Sequence, residues 1–197
     1  WCTNGTVADV SEESGIAGIA GTSMGMVAAD CDDDGDIDVF VLNDVHENFF
    51  FRNDGQGRFE EVAMLVGLAF NGFGQENASM GVDCGDLNND GLLDFYMTSY
   101  QTEYPIYYRN MGEGRFEDAT QEARAGTGLF PYVNWGIGIV DFDNDGNRDI
   151  YIANGHTEDN VELYDSSTAY RVKNTLLRNT GNGYFADVSQ ECGDGMD

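Results

Sequence analysis

With 197 residues, 36 Asp plus Glu against 9 Lys plus Arg, and a formal charge of -27, the chain lacks the basic footprint that nucleic acid or an anionic membrane surface demands. Its 12 Phe, 10 Tyr and 26 Gly exclude a disordered acidic tail, and no run of about eighteen apolar residues offers a membrane span. The length supports a real core in one or two domains, and the charge favours metal cations or basic partners.

The chain opens at Trp1 with neither an initiator Met nor a signal peptide, as expected of a processed or partial product. Asn4-Gly5-Thr6-Val7-Ala8-Asp9-Val10-Ser11 matches the end of a repeat seen later at Gly183-Tyr184-Phe185-Ala186-Asp187-Val188-Ser189. Residues 1–15 are therefore expected as an orphan outer strand. A first unit is expected over 16–67. It begins with Ser23-Met24-Gly25-Met26-Val27, continues through an acidic loop at Asp30–Asp38, and enters an apolar strand from Ile37 to Leu42. The run Phe51-Arg52-Asn53-Asp54-Gly55-Gln56-Gly57-Arg58-Phe59 then reads as a tight hairpin, because Asn-x-Gly-x-Gly sits between apolar stretches.

The same order returns over 68–124. Ser79-Met80-Gly81-Val82 precedes a loop at Asp86–Asp94, a strand over Leu92–Thr98, and the hairpin Tyr108-Arg109-Asn110-Met111-Gly112-Glu113-Gly114-Arg115-Phe116. A third unit, 125–193, carries Asn134-Trp135-Gly136-Ile137-Gly138, a loop at Asp141–Asp149, a strand over Ile150–Ala153 and the hairpin Leu177-Arg178-Asn179-Thr180-Gly181-Asn182-Gly183-Tyr184-Phe185. An insert over 156–175 separates its second and third strands, a place where repeat proteins often build a recognition face. Four antiparallel strands per unit, repeated in one chain, predict an all-β, β-propeller-type array of four-stranded blades: three complete units plus the orphan strand. Three units are fewer than a closed propeller uses. The open edges are expected to recruit partners or further copies, giving an oligomer or filament.

The three loops share the pattern D-x-[DN]-x-D-G-x-x-D, starting at residues 30, 86 and 141. A hard dication takes several oxygen ligands from a tightly curved loop, so this pattern predicts three Ca2+ sites. The expected ligands are Asp30, Asp32, Asp34, Asp36 and Asp38; Asp86, Asn88, Asp90, Leu92 and Asp94; and Asp141, Asp143, Asp145, Asn147 and Asp149. The seventh-position residues Asp36, Leu92 and Asn147 contribute by their carbonyls. Mg2+ fits less well because it demands stricter geometry and dehydrates reluctantly. The start resembles an EF-hand loop, but no helices flank it and a strand begins before any twelfth-position Glu. The second site, with neutral Asn88, is expected to bind somewhat more weakly. Metal-free loops would set carboxylates against one another, so folding is expected to depend on calcium.

Cys2, Cys31, Cys84 and Cys192 form no C-x-x-C pair; Cys31–Cys84 and Cys2–Cys192 disulfides are expected, with free buried thiols the alternative. Asn4-Gly5-Thr6 and Asn77-Ala78-Ser79 match the glycosylation sequon. His46 and His156 lie in different units and are not expected to converge on a catalytic or zinc centre. No G-x-S-x-G, H-E-x-x-H or P-loop pattern is present. Glu47, Glu76, Glu103 and Glu158 show no paired spacing for glycoside hydrolysis. Tyr104-Pro105-Ile106-Tyr107-Tyr108 and Phe49-Phe50-Phe51 read first as packing between units, and second as an exposed aromatic site for carbohydrate or a partner.

On the D-x-D-x-D-G-x-x-D loops, the Arg-Asn-x-Gly-x-Gly-x-Phe hairpins and Phe185-Ala186-Asp187-Val188-Ser189, the chain resembles the FG-GAP/VCBS-type calcium-binding repeat family. Within it, Asn154-Gly155-His156 followed by Asn174-Thr175-Leu176-Leu177-Arg178-Asn179 is most similar to the cartilage-acidic-protein and ASPIC/UnbV group. That resemblance implies calcium-stabilised blades of an extracellular propeller with adhesion or matrix roles and no catalytic centre. Against the pattern of that group, these 197 residues show fewer blade units than it uses and do not include its usual C-terminal domain. The resulting expectation is a secreted or cell-surface, structural or adhesive protein, self-assembling through open edges. The alternative is a soluble module that binds a protein or glycan, with a hydrolase a minor third reading.

Overall fold

From Asp38 the chain reads Val39-Phe40-Val41-Leu42, β-branched and aromatic residues whose side chains suit a half-buried pleated surface. The structure, a computed structural model, describes residues 2, 3 and 5–193, the first two by backbone alone. The chain begins with β1 (Cys2–Thr3), β2 (Thr6–Val7) and the helical turn α1 (Ser11–Ser14). A first group of strands follows: β3 (Ser23–Ala29), β4 (Asp38–His46), β5 (Phe49–Asn53) and β6 (Phe59–Glu61), closed by α2 (Ala63–Val66). The second group is β7 (Asn77–Gly85), β8 (Asp94–Ser99), β9 (Ile106–Asn110) and β10 (Phe116–Asp118), closed by α3 (Thr120–Ala123). The third is β11 (Asn134–Val140), β12 (Asp149–Asn154), β13 (Thr175–Asn179) and β14 (Phe185–Asp187). Inside each group, strands adjacent in sequence pair antiparallel.

The groups do not form the expected radial array of separate blades. Strand β4 runs nine residues but pairs with β5 only over Val39–Val41. Its far end carries backbone donors and acceptors that need partners. The start of β7 supplies them, with Asp44 opposite Ala78 and His46 opposite Asn77 across a bulge. The first two groups thereby fuse into one eight-stranded sheet of order β10-β9-β8-β7-β4-β5-β6, with β3 also on β4; it curls through 212° and stays open. Strands β8 and β12 stop at six residues and leave no such overhang, so β11–β14 remains a separate, flat four-stranded sheet. The orphan outer strand is also corrected. β1 and β2 pair with each other, Cys2 opposite Val7 and Thr3 opposite Thr6, as a two-stranded ribbon on no other sheet.

Period-two alternation splits the apolar residues of the middle group between two cores. Phe95 and Tyr108 join Phe40, Phe50 and Phe116 on one side, while Tyr96 and Tyr107 join Ile139, Ile150, Leu177 and Phe185 on the other. Rings interlock in the first core, Phe40 against Phe95 at 4.8 Å and Phe95 against Phe116 at 5.2 Å. Each fully buried ring of this kind is worth about 1.5–3 kcal/mol. The inner strands β3, β7 and β11 approach closely at glycines. A Cβ at Gly25 would lie 2.5 Å from the Met80 carbonyl, and one at Gly81 would lie 2.3 Å from the Trp135 carbonyl. That close approach explains the glycine five residues before the first and second loops; the equivalent Gly136 of the third group meets nothing within 4 Å.

The expected Cys31–Cys84 disulfide is absent. Cys31, Cys84 and Cys192 are free thiols. Buried Cys31 instead gives its Sγ–H to the Ala29 carbonyl at 3.2 Å, and Cys84 packs against the first core. Burial and the neighbouring Asp38 charge push the Cys31 thiol well above its ordinary range, so it stays protonated and unreactive. Cys192 gives its Sγ–H to the Val188 carbonyl at 3.3 Å, while the Cys2 side chain lies outside the described residues. So does Asn4. Asn77, the other sequon asparagine, is buried and donates through Nδ2 to Ser99 Oγ and Glu103 Oε2, so the folded chain does not present it for glycosylation.

Candidate metal centres

Each acidic loop joins the first and second strands of a group, and the three loops share one backbone conformation. The fourth residues Asp33, Asn89 and Asn144 take φ of 61°, 61° and 59°, and the glycines Gly35, Gly91 and Gly146 take 94°, 91° and 92°. Asp and Asn tolerate that left-handed region better than other side chains, and glycine enters it freely. The first aspartate fastens each curve. Asp30 accepts from Asp34 N and Gly35 N, Asp86 from Asp90 N and Gly91 N, and Asp141 from Asp145 N and Gly146 N, at 3.1 and 3.0 Å in every loop. The fifth residue braces the seventh: Asp34, Asp90 and Asp145 accept from Asp36 N, Leu92 N and Asn147 N.

The ninth aspartates are buried latches. Through one oxygen Asp38, Asp94 and Asp149 accept from Asn53 N, Asn110 N and Asn179 N at 2.9, 2.8 and 2.9 Å. Through the other they accept from Cys31 N, Leu87 N and Phe142 N at 3.4, 3.0 and 3.0 Å. Each latch ties its loop to the hairpin asparagine of the same group. Burial raises the carboxyls of Asp38 and Asp94 to about 6, against the opposing pull of those N–H donors, and burial also raises Asp149.

The structure brings together some of the expected ligands. Carboxylate oxygens of Asp30, Asp32 and Asp34 lie within 4.8 Å of one another, and so do those of Asp141, Asp143 and Asp149. Among the described residues, Asp86, Asp90 and Asp94 form no such group. There the Asn88 amide donates to Asp90 Oδ2 at 2.8 Å and holds that carboxylate to itself. Asp38 and Asp145 stay outside the two triads. At the seventh positions, Asn147 donates its amide to Asp145 and accepts from Asn89 of the neighbouring loop at 2.8 Å, while Asp36 turns its carboxylate toward Gly55. Asp32 supplies the observation that favours a cation. Its Oδ1 is buried without a hydrogen-bond partner, and burial and the Asp34 charge push its carboxyl up. An all-oxygen set with an orphaned anionic oxygen suits a hard dication.

A third close group, His46, Glu47 and Glu76, was not expected. It arises where β4 meets β7, with His46 Nδ1 2.8 Å from Glu47 Oε2, and the chain separation hides it from any local motif. His156 lies apart in the insert. It is buried, bridged to Gln101 at 3.1 Å, and accepts from Glu158 N at 3.0 Å through Nδ1. The insert is thus anchored on the loop after β8, with Gln101 also donating to Asp165 at 2.6 Å.

The FG-GAP-like repeat family matches residues 30–97 and 86–152, each match beginning on the first aspartate of an acidic loop. The chain belongs to the FG-GAP-like repeat family. It is 25% identical over 186 residues to human cartilage acidic protein 1, covering 92% of this chain and 25% of that protein. The mouse protein of that name is 24% identical over the same length, with 92% and 26% covered. The Xenopus tropicalis one is 27% identical over 120 residues, with 59% and 17% covered. The chain thus spans about a quarter of the length of the human and mouse relatives. A solved structure describing recognition of non-reducing terminal N-acetylglucosamine by an Agrocybe aegerita lectin superposes with a TM-score of 0.43 at 19% identity, covering 81% of this chain and 36% of that one.

Proposed function

We propose that this repeat protein is an extracellular, calcium-stabilised structural and adhesive element without catalytic machinery, close to the cartilage-acidic-protein group and divided near 16–67, 68–124 and 125–193. The buried, unpartnered Asp32 Oδ1 within a loop whose backbone conformation recurs three times carries the calcium part of the reading. Calcium would sit among the expected oxygens of each loop and relieve their mutual repulsion, which couples metal binding to folding. Placement outside the cell rests on the similarity to cartilage acidic protein 1 and on the acidic composition.

A repeated contact supports self-association. Asn110 Nδ2 donates to Cys31 O of the first group at 2.8 Å, and Asn179 Nδ2 donates to Leu87 O of the second at 2.7 Å. Among the described residues the equivalent Asn53 Nδ2 reaches only its own group, at Ile37 O. At the other end of the row, a Cβ at Gly136 would meet nothing within 4 Å, and Val140 and Phe142 are 49% and 48% exposed. The first group therefore offers a donor, and the third offers an uncovered glycine beside exposed apolar side chains. A second copy joining head to tail satisfies both. The segment ending at Gly15 covers part of the first group's end near Phe59 O, so contact would use the inner strands. Sedimentation velocity in calcium and after chelation tests this. Mass should grow with concentration in calcium, and both Asn53→Ala and Gly136→Val should suppress the growth. A monomer at every concentration would remove self-association and leave a stand-alone binding module.

A further inference from the structure

A cavity of about 780 Å³ opens on the flank of the second group, between the segment leading into β7, the loop joining β8 to β9, and α3 with the chain that follows it. Three large rings border it while remaining in contact with solvent: Phe73 is 75% exposed, Tyr104 50% and Phe130 41%. Isolated exposed rings need no explanation, but these converge on one hollow. Tyr104 and Phe130 pair at 5.0 Å with their planes tilted by 45°. The backbone beneath them is fastened, since Thr102 N donates to the Phe130 carbonyl at 2.8 Å. Tyr104 also lies directly over Gly126, where a Cβ would come within 3.0 Å of the ring. Tyr104 and Phe130 thus form a prepared platform, with the Phe73 ring bordering the same hollow.

Two of the polar groups around the platform are held in place. Half-buried Glu103 accepts through Oε2 from Ala78 N at 2.8 Å and from Asn77 Nδ2 at 3.3 Å, which sets the carboxylate plane and leaves Oε1 uncommitted among the described contacts. Asp118 is held by Gly72 N and Thr120 N at 2.9 and 3.0 Å. Arg124 borders the same hollow and makes no ion pair among the described residues. Gln75 and Gln121 add amides that can both give and accept.

The ligand class follows from this mixture. A purely apolar ligand would strand the carboxylates and amides against it. An anion would face Glu76, Glu103 and Asp118 with one guanidinium to set against them. A cationic side chain suits the acids and rings but would meet Arg124 in the same hollow. A pyranose combines an apolar C–H face, which lies on an aromatic platform, with a rim of hydroxyls that need donors and acceptors side by side. We propose that this cavity binds a neutral saccharide, one ring stacked on Tyr104 and Phe130 and its hydroxyls held by Glu103 and Arg124. The site gives the adhesive reading a ligand class and rests on that reading.

The test uses the full chain in calcium against a printed panel of neutral and acidic oligosaccharides, with an oligolysine peptide as the cationic probe. Titration calorimetry on the strongest neutral glycan follows. At least one neutral glycan should bind, and Tyr104→Ala and Phe130→Ala should each weaken it at least tenfold. Arg124→Gln, on an exposed side chain, guards against loss of fold as the cause, and every variant should keep the parent melting temperature and calcium uptake. Absence of neutral glycan binding, preference for the oligolysine peptide, or binding indifferent to all three variants overturns the proposal. Calcium uptake and sedimentation, read on the same variants, report separately on the structural reading, so either can fail without the other.

Discussion

Replacing Asn110 with alanine probes how the strand groups hold one another. The side chain is buried, and its Nδ2 donates to Cys31 O at 2.8 Å and Leu93 O at 3.0 Å while its Oδ1 accepts from Gly112 N at 2.9 Å. The truncation strands two carbonyls and one N–H. An unsatisfied buried group costs about 1–3 kcal/mol, and partial rehydration at the hairpin lowers the sum, so a loss of about 3 kcal/mol is expected. Asn53→Ala provides the internal control. That residue makes the corresponding contacts within its group, to Ile37 O and Gly55 N, and a further one from Gly57 N, but none to another group, and it is more exposed. Its loss should cost about 1 kcal/mol. Urea unfolding at saturating calcium, analysed for unchanged slope, measures both. Equal costs for Asn110→Ala and Asn53→Ala would refute the claim that the bond between groups is the stabilising part of this motif.

Gly81→Ala should destabilise by about 2 kcal/mol or more, because its Cβ would meet the Trp135 carbonyl at 2.3 Å, whereas Gly136→Ala, with nothing within 4 Å, should leave the monomer's melting temperature nearly unchanged. Asn88→Asp should tighten calcium binding at the second loop several-fold by adding the missing carboxylate, and a titration showing weaker or unchanged affinity would contradict the ligand assignment. In calcium-stripped protein, Asp38 and Asp94 have folded carboxyls raised by burial to about 6, from an ordinary carboxyl value of 3.8. The folded state therefore holds these protons more tightly than the unfolded chain. Their stabilising contribution is complete below about pH 4 and is lost as pH rises through about 6. Melting temperature should fall between pH 4.5 and 6.5 without calcium, and calcium affinity should rise over the same interval as protons stop competing for the loops.

Local chemistry carried much of the site's legibility. Asp at positions one and five, Gly at six and Asp at nine are each demanded by a backbone bond or dihedral inside the same nine residues, so their recurrence could be read without coordinates. The hairpin asparagines were legible as turn residues, but not as the donors that join one group to the next, because Asn110 and Cys31 meet only after the strands stack. The fusion of β4 with β7 escaped for a related reason. A strand length of nine instead of six decides it, and element ends are the least determined part of a pattern reading. The His46, Glu47 and Glu76 group follows from that same pairing. The cysteines misled because spacing on successive repeats does not show that Cys31, in the loop, turns its sulfur to the Ala29 carbonyl at the end of β3.

The central claim is that the three loops take up calcium and that the fold depends on it. Isothermal titration of the calcium-stripped chain, with circular dichroism recorded at each addition, tests it most directly. The account predicts uptake of three ions per chain, the second loop weakest, accompanied by a gain of strand signal and of melting temperature. A stripped chain that keeps its full signal and melting temperature, and that releases no heat with calcium, would contradict it.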